Sequence, residues 1–213
     1  MNSFVYDIPT KVYFGENQLG NLGEELKKFG NKVLLTYGGG SIKKSGLYDR
    51  VVAEIKKSGL ELFELFGIEP NPKVTSVRQG VEICKKENID VLLAVGGGSV
   101  IDCTKFIGAG AFYDGDPWDI VTGEAEVKNC LPIVDIITLA ATGSEMDNCG
   151  VISNEETQDK IGNGSEFMRP KVAFLDPTLT YSVSKYQTAC GSSDILNHIM
   201  EVYFTMENDL YML

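Results

Sequence analysis

The sequence predicts a doubly wound α/β fold built on a mainly parallel sheet. Largely apolar runs at Val33–Tyr37, Val91–Val95 and Pro132–Leu139 lack the polar alternation of half-exposed strands, as is typical of strands covered on both faces. Segments with apolar residues at helical spacing lie between these runs. Strands that alternate with helices at such lengths form a parallel sheet with helices on both sides.

The first half of the chain supplies its elements in this alternating order. Residues 3–16 alternate apolar and polar side chains, which predicts an edge strand or a hairpin that includes Phe4 and Tyr6. Helices are predicted over 17–29, 48–58 and 74–87, since apolar residues recur there every three to four positions. A further strand is expected over 60–66.

The second half is more varied. A helix is predicted to open at Val100, and a polar, irregular segment follows over 113–128. A hairpin-like region over 151–161 precedes a short strand at 172–175. A strong helical pattern then covers 185–204, and we interpret residues 182–213 as the opening of a helical domain whose remainder is missing.

Composition restricts the class of protein. A net charge of −11 over 213 residues argues against a surface that tracks nucleic acid, which requires a basic field. The five cysteines are scattered with no CxxC pair, as expected for reduced thiols in a cytosol. We therefore expect a soluble cytoplasmic protein, because there is also no signal peptide and no apolar run of the ~20 residues that a membrane helix needs.

Two glycine triplets follow buried strands, at Gly38–Ser41 and at Gly96–Ser99. A strand, a glycine turn and the start of a helix present backbone N–H groups to an anion, and glycine allows a phosphate to approach closely. If the two strands are neighbours, one loop cradles a pyrophosphate while the other meets the adenosine ribose. The alternative is a pair of tight turns without a ligand.

The first loop also bears on the choice of cofactor. An acidic residue at this position would accept a hydrogen bond from a ribose 2′-hydroxyl, but the loop instead offers Ser41, Lys43 and Lys44. These donors and positive charges suit a 2′-phosphate, so we expect NADP(H) rather than NAD(H). The alternative is that both lysines are solvated surface charges.

Two further segments are candidates for the chemistry of the site. Small and hydroxyl residues over Ala140–Glu145 suit a loop that lies against a flat ring, although a plain turn with satisfied hydroxyls would read the same. His198 is the only histidine, and Asp194 precedes it by four residues, so a helix places both on one face. The pair suits a divalent ion, but two ligands are too few for a catalytic site, and a lone histidine is also common as a packed or surface residue. No nucleophilic serine motif suggests a hydrolase.

Taken together, the motifs resemble the iron-containing (group III) alcohol dehydrogenase family, and within it the NADPH-dependent butanol dehydrogenase and aldehyde reductase branch. The resemblance spans essentially the whole chain and rests on Tyr37-Gly-Gly-Gly-Ser-Ile-Lys-Lys, Ile68-Glu-Pro-Asn-Pro, Ala94-Val-Gly-Gly-Gly-Ser-Val-Ile-Asp, Thr138-Leu-Ala-Ala-Thr-Gly-Ser-Glu, Leu175-Asp-Pro and Asp194-Ile-Leu-Asn-His.

The resemblance implies a fold and a set of cofactor contacts. Residues 1–181 would form a Rossmann-like, dehydroquinate synthase-like dinucleotide domain, and 182–213 would begin a helical metal-binding domain. The implied contacts are Gly38, Gly39, Gly40, Ser41 and Asn71 on the adenosine side, Gly97, Gly98, Ser99 and Asp102 at the pyrophosphate, Thr138, Leu139, Thr142 and Ser144 at the nicotinamide, and Lys160 at its ribose.

The resemblance also implies a reaction. Asp194 and His198 would be the first two of four ligands to Fe²⁺ or Zn²⁺, and the remaining ligands, histidines in the family, lie beyond this sequence. The metal would polarise the oxygen of a small alcohol or aldehyde while hydride passes to or from the nicotinamide. The family is often dimeric through the N-terminal strand region, and neither a nucleic acid nor a membrane is an expected partner.

Two other functions remain open from the sequence. One is a metal-dependent lyase of the dehydroquinate synthase type, although such a sugar-phosphate site calls for basic residues and Ala140–Asp147 offers none. The other is a nucleotide-binding module without catalysis, because the metal ligands are incomplete.

Overall fold

The computed structural model describes residues 7–204. Predictions for Phe4 and Tyr6, and for the end of the predicted helical domain at 205–213, lie outside this range. The strands are β1 Lys11–Phe14, β2 Lys32–Tyr37, β3 Glu61–Phe66, β4 Val91–Gly96, β5 Ile133–Ile137, β6 Cys149–Asn154, β7 Asp159–Gly164 and β8 Val172–Leu175. The helices are α1 Leu22–Lys27, α2 Ser41–Lys44, α3 Leu47–Lys57, α4 Val74–Glu87, α5 Gly98–Gly110, α6 Pro117–Thr122 and α7 Lys185–Phe204.

The main sheet has the order β1-β8-β5-β4-β2-β3 within the described residues, and all of its pairs are parallel. The predicted doubly wound, mainly parallel sheet is confirmed. β1 pairs with β8 at the edge, so the first segment is an edge strand and not a hairpin over its described part. β6 and β7 form a separate antiparallel ribbon, where the hairpin was predicted.

Alternate residues of the central strands face opposite layers, as the pleat requires. Leu34 and Leu92 pack in one core cluster with the apolar residues of α4 and α5. Val33 and Leu93 pack in a second cluster with those of α1 and α3. The central strands are therefore covered on both faces, which explains why their sequences are so apolar.

Two helix predictions need correction. Residues 17–29 do not form one helix, because a short 3₁₀ turn at Gln18–Asn21 precedes α1. Residues 117–122 of the segment predicted to be irregular form α6. The Asp116 carboxylate caps α6 by accepting a hydrogen bond from Trp118 N at 3.0 Å, and Pro117 occupies the first turn, which is a recognised helix-start signal. None of the helices in the described range combines the length and apolar character needed to cross a membrane.

Candidate dinucleotide site

The two glycine loops lie next to each other at the carboxyl ends of the strands. β2 and β4 are parallel neighbours, and Tyr37 pairs with Val95 just before each strand reaches its loop. From this pair the chain continues outward in opposite directions, since β3 lies beyond β2 whereas β5 and β8 lie beyond β4. In open α/β sheets a ligand crevice forms at such a switch in strand order, outside the carboxyl ends of the strands.

The first loop combines one closely packed glycine with two open ones. A Cβ at Gly38 would lie 3.0 Å from the Ile68 carbonyl oxygen, so a side chain there would crowd the backbone after β3. Built at Gly39 or Gly40, a Cβ has nothing within 4 Å among the described residues, and Gly40 has a φ of +110° that favours glycine. The loop therefore offers bare backbone on an open side, with Ser41 exposed beside it.

Lys43 does not extend freely toward this loop. Its Nζ lies over the rings of Tyr48 and Tyr37, 4.7 and 5.1 Å from their centroids. The two tyrosine hydroxyls donate to the Glu64 carboxylate on β3, at 2.8 and 2.7 Å. Interaction with the Tyr37 hydroxyl raises the pKa of Lys43. Lys44, the next residue, is exposed. The two lysines predicted to bind a phosphate therefore have different surroundings.

The second loop leads directly into α5. Gly97 has extended backbone and its carbonyl accepts from Val100 N and Ile101 N at 3.0 and 3.3 Å, which starts the helix. The N–H groups of Gly98 and Ser99 come before the first intrahelical bond of this 13-residue helix, and N–H groups at the start of a helix favour an anion.

The loop after β5 packs against the second glycine loop. Thr138 N donates to the Gly96 carbonyl at 2.9 Å. A Cβ at Gly97 would lie 3.3 Å from Leu139 Cβ, and one at Gly98 would lie 2.5 Å from Thr142 Oγ1. The three loops predicted to bind the dinucleotide therefore lie side by side.

Asp102 lies one turn into α5 and holds two other segments. Its carboxylate accepts from Ser144 Oγ at 2.6 Å and from Val151 N at 3.0 Å. Burial raises the pKa of Asp102, and the bonds from Ser144 and Val151 offset part of that rise. Asp102 therefore ties the first turn of α5 to the segment at Ser144 and to β6 at Val151.

The β6–β7 ribbon brings together two residues that the resemblance assigns to different parts of the dinucleotide, Asn71 on the adenosine side and Lys160 at the nicotinamide ribose. Lys160 Nζ donates to Asn71 Oδ1 at 2.8 Å. Asn71 follows β3 with a left-handed φ of 55°, and both side chains are exposed.

Asp194 and His198 lie on one face of α7, with Oδ1 and Nε2 3.7 Å apart. The start of the same helix reaches the loop after β5, since a Cβ at Gly191 would lie 3.1 Å from the Ala140 carbonyl oxygen. No group of three or more histidine, cysteine, aspartate and glutamate side chains suited to a metal occurs in residues 7–204. The two predicted ligands are adjacent, but they do not make a complete site with the other described residues.

Two buried titratable side chains, Lys105 and Asp135, are not among the predicted site residues. Lys105 on α5 has no exposed side-chain surface and bonds to Ser144, Asp147 and Cys149. Its place three residues after Asp102, on the same helix face, is the signal that could have identified it. Asp135 on β5 is also fully buried, and neither of its carboxylate oxygens has a hydrogen-bond partner within the described chain.

Comparison with known proteins places the chain in one protein family. The family model described as "Iron-containing alcohol dehydrogenase" matches residues 9–177. The chain is 54% identical over 205 residues to NADH-dependent butanol dehydrogenase A of Clostridium acetobutylicum, covering 96% of this chain and 53% of that protein. It is 42% identical over 212 residues to the NADPH-dependent aldehyde reductase YqhD of Escherichia coli, covering 98% of this chain and 54% of that one.

Solved structures agree with these sequence matches. The crystal structure of NADH-dependent butanol dehydrogenase A from Thermotoga maritima matches with a TM-score of 0.93 and 46% identity, covering 96% of this chain and 52% of that one. The chain spans about half the length of the curated relatives it matches.

Proposed function

Because the chain belongs to the iron-containing alcohol dehydrogenase family, we propose that the protein transfers hydride between a nicotinamide dinucleotide and a primary alcohol or aldehyde of the butanol type. The observation that carries this proposal is the position of two triple-glycine loops on adjacent parallel strands, on either side of the switch in strand order.

Three loops of the chain would each bind one part of the dinucleotide. The N–H groups of Gly97, Gly98 and Ser99 would bind the pyrophosphate at the start of α5. The open first loop, Gly38–Ser41, would receive the adenosine ribose, with Asn71 beside it. The loop after β5 would line the nicotinamide through Thr138, Leu139, Thr142 and Ser144, and Lys160 would reach its ribose. When bound, the nicotinamide supplies or accepts the hydride.

For the 2′ position we propose NADP(H) rather than NAD(H). The first loop and α2, Gly38–Lys44, contain no carboxylate that would accept from a 2′-hydroxyl or repel a 2′-phosphate, and Ser41 and Lys44 are exposed there. The names of the relatives differ on this point, since the butanol dehydrogenase is called NADH-dependent and the aldehyde reductase NADPH-dependent. Titration of the chain with both dinucleotides tests the preference.

Asp194 and His198 would be the first ligands of a divalent metal, Fe²⁺ or Zn²⁺. A carboxylate and an imidazole suit such an ion, whose chemistry is to polarise the substrate oxygen. Two ligands are fewer than the three that catalytic sites supply. Binding to this chain alone is therefore expected to be weak, and further ligands would come from outside it.

The remaining assignments follow from the same family. We propose a dinucleotide domain over 1–181 and the beginning of a helical metal-binding domain over 182–213. We further propose a cytoplasmic homodimer that uses the N-terminal strand region. Family membership favours this oxidoreductase function over the lyase alternative.

A second candidate is a nucleotide-binding module without catalysis, which the incomplete metal ligands of the described residues favour. Fluorescence titration with NADPH and NADH, paired with an aldehyde-reduction assay in the presence of Fe²⁺ or Zn²⁺, distinguishes the two. We expect the 213-residue chain to bind the dinucleotide but not to turn over. Turnover by the chain alone would show that no further ligands are needed, and failure to bind either dinucleotide would contradict the proposed function.

A further inference from the structure

We propose that Lys105 is a positioning residue that fixes the distance between the pyrophosphate loop and the nicotinamide loop. The inference rests on the proposed function. In this proposal a lysine with no exposed surface aligns two halves of one ligand site. The contacts of its ammonium group support that role.

The ammonium group of Lys105 joins α5 to the segment that follows the nicotinamide loop. Its Nζ donates to Ser144 Oγ at 3.1 Å and to the Cys149 carbonyl oxygen at 2.7 Å, and it forms an ion pair with Asp147 Oδ1. All three acceptors belong to residues 144–149, whereas Lys105 is on the helix that begins at the second glycine triplet.

Lys105 acts together with Asp102, one turn closer to the start of α5. The Asp102 carboxylate receives the Ser144 hydroxyl at 2.6 Å, so Ser144 is bonded to both side chains. At the start of the helix the two loops already touch, since Gly98 leaves room for Thr142. Two successive turns of α5, carrying Asp102 and Lys105, therefore bond to the segment that follows the contact between the loops.

Stability alone does not explain a lysine at this position. An ammonium group loses its hydration on burial, and apolar residues of similar volume often replace buried ion pairs at no cost in stability. The three acceptors of the Lys105 ammonium group, on Ser144, Asp147 and Cys149, all lie within residues 144–149, which run from the loop after β5 into the first residue of β6. We therefore assign the benefit of this lysine to the alignment of that segment with α5.

Loss of Lys105 should affect the two ends of the ligand unequally. The N–H groups of α5 remain in place without it, so the pyrophosphate loop keeps its geometry. The segment carrying Thr142 and Ser144 loses most of its ties to α5 and retains the bond to Asp102. Binding of the nicotinamide ring should weaken while binding of the rest of the dinucleotide stays.

The test compares two ligands that differ only in the nicotinamide ring, NADPH and 2′-phospho-ADP-ribose, on the 213-residue chain. Isothermal titration of Lys105→Met should give a dissociation constant for NADPH about 10-fold higher than that of the unaltered chain, with 2′-phospho-ADP-ribose within about 2-fold. Lys86→Met is the matched control, because Lys86 is exposed on α4 and its one ion pair within the described residues is with its neighbour Glu87. It should change neither constant.

Asp147→Ala provides a second variant in case Lys105→Met does not fold. Asp147 is 37% exposed, so its removal leaves the core intact while Lys105 loses its charged partner, and the same unequal loss is expected. Equal losses for both ligands, or no loss for either, would overturn the inference and leave the proposed function standing. An unaltered chain that binds neither ligand would overturn both.

Discussion

Replacing Asp135 by asparagine is expected to make the protein less sensitive to pH. Asp135 lies on β5 between Ala94 and Ala173 of the neighbouring strands, fully buried and without a hydrogen-bond partner in the described residues. Burial raises the pKa of Asp135 well above its ordinary value of 3.8, the nearby Glu145 adds to the rise, and Lys105 opposes it. The carboxyl group is therefore protonated in the folded chain at pH values where it ionises in the unfolded chain.

The size of the effect follows from proton linkage. A group whose folded pKa is raised contributes its full stability below the unfolded pKa, and that contribution is lost as pH rises through the folded pKa. Within this window one proton separates the two states, so the free energy of unfolding falls by about 1.4 kcal/mol per pH unit. Asparagine has a similar shape and does not ionise, so the Asp135→Asn variant lacks this loss.

Urea unfolding at a series of pH values, followed by fluorescence of the single tryptophan Trp118, measures the difference between the two proteins. Other groups that titrate are common to both and cancel. Above the unfolded pKa of about 4, the variant should gain about 1.4 kcal/mol relative to the unaltered chain for each pH unit over which Asp135 stays protonated in the folded state. A difference between the two proteins that does not change as pH rises above about 4 would show that Asp135 is ionised in the folded state and would contradict its raised pKa.

Three further outcomes are expected. Gly98→Val places a Cβ 2.5 Å from Thr142 Oγ1 and should weaken dinucleotide binding about 10-fold by forcing the loops apart, whereas Gly20→Ala, in open space, should leave titration curves unchanged. Lys43→Met should lower the ratio of NADPH to NADH affinity by less than Lys44→Met does, because Lys43 is held over tyrosine rings; a larger effect of Lys43→Met in competition titrations would refute this. Burial alone would raise the pKa of Glu25, but bonds from Lys11, Lys28 and Tyr13 lower it to about 2. Glu25→Gln should therefore lower the free energy of unfolding by about 1–2 kcal/mol near neutral pH, and urea unfolding should show this loss disappearing as pH falls from 4.5 toward 2. A loss of stability that persists in acid would contradict the role assigned to the Glu25 carboxylate.

Local patterns were sufficient to predict most of the fold. The glycine triplets and the apolar runs before them are continuous in sequence, and the helix predicted over 74–87 has those bounds in the structure. α6 was missed because its start signal at Asp116 and Pro117 is surrounded by polar residues that give no clear apolar face. Its cap, rather than its periodicity, is what marks it.

The parts of the site that sequence could not predict depend on partners far along the chain. Lys105 can be buried because its ammonium group pairs with Asp147, 42 residues later. No local sequence pattern around Lys105 indicates that pairing. The sequence predicts that Lys43 is available to a phosphate, whereas in the structure its ammonium group lies over the rings of Tyr37 and Tyr48. Both tyrosine hydroxyls are bonded to Glu64 on the neighbouring strand. Tertiary pairing, not local propensity, decides what these charges can do.

The proposed position of the dinucleotide, across the carboxyl ends of β2 and β4, can be tested most directly by nuclear magnetic resonance. Backbone amide spectra of the isotope-labelled chain would be recorded during titration with NADPH. We expect saturable shifts at Gly39–Ser41, Gly97–Ser99 and Thr138–Ser144, with Gly59, before the amino end of β3, unchanged. Shifts confined to one glycine loop, or none at either, would contradict the proposed site.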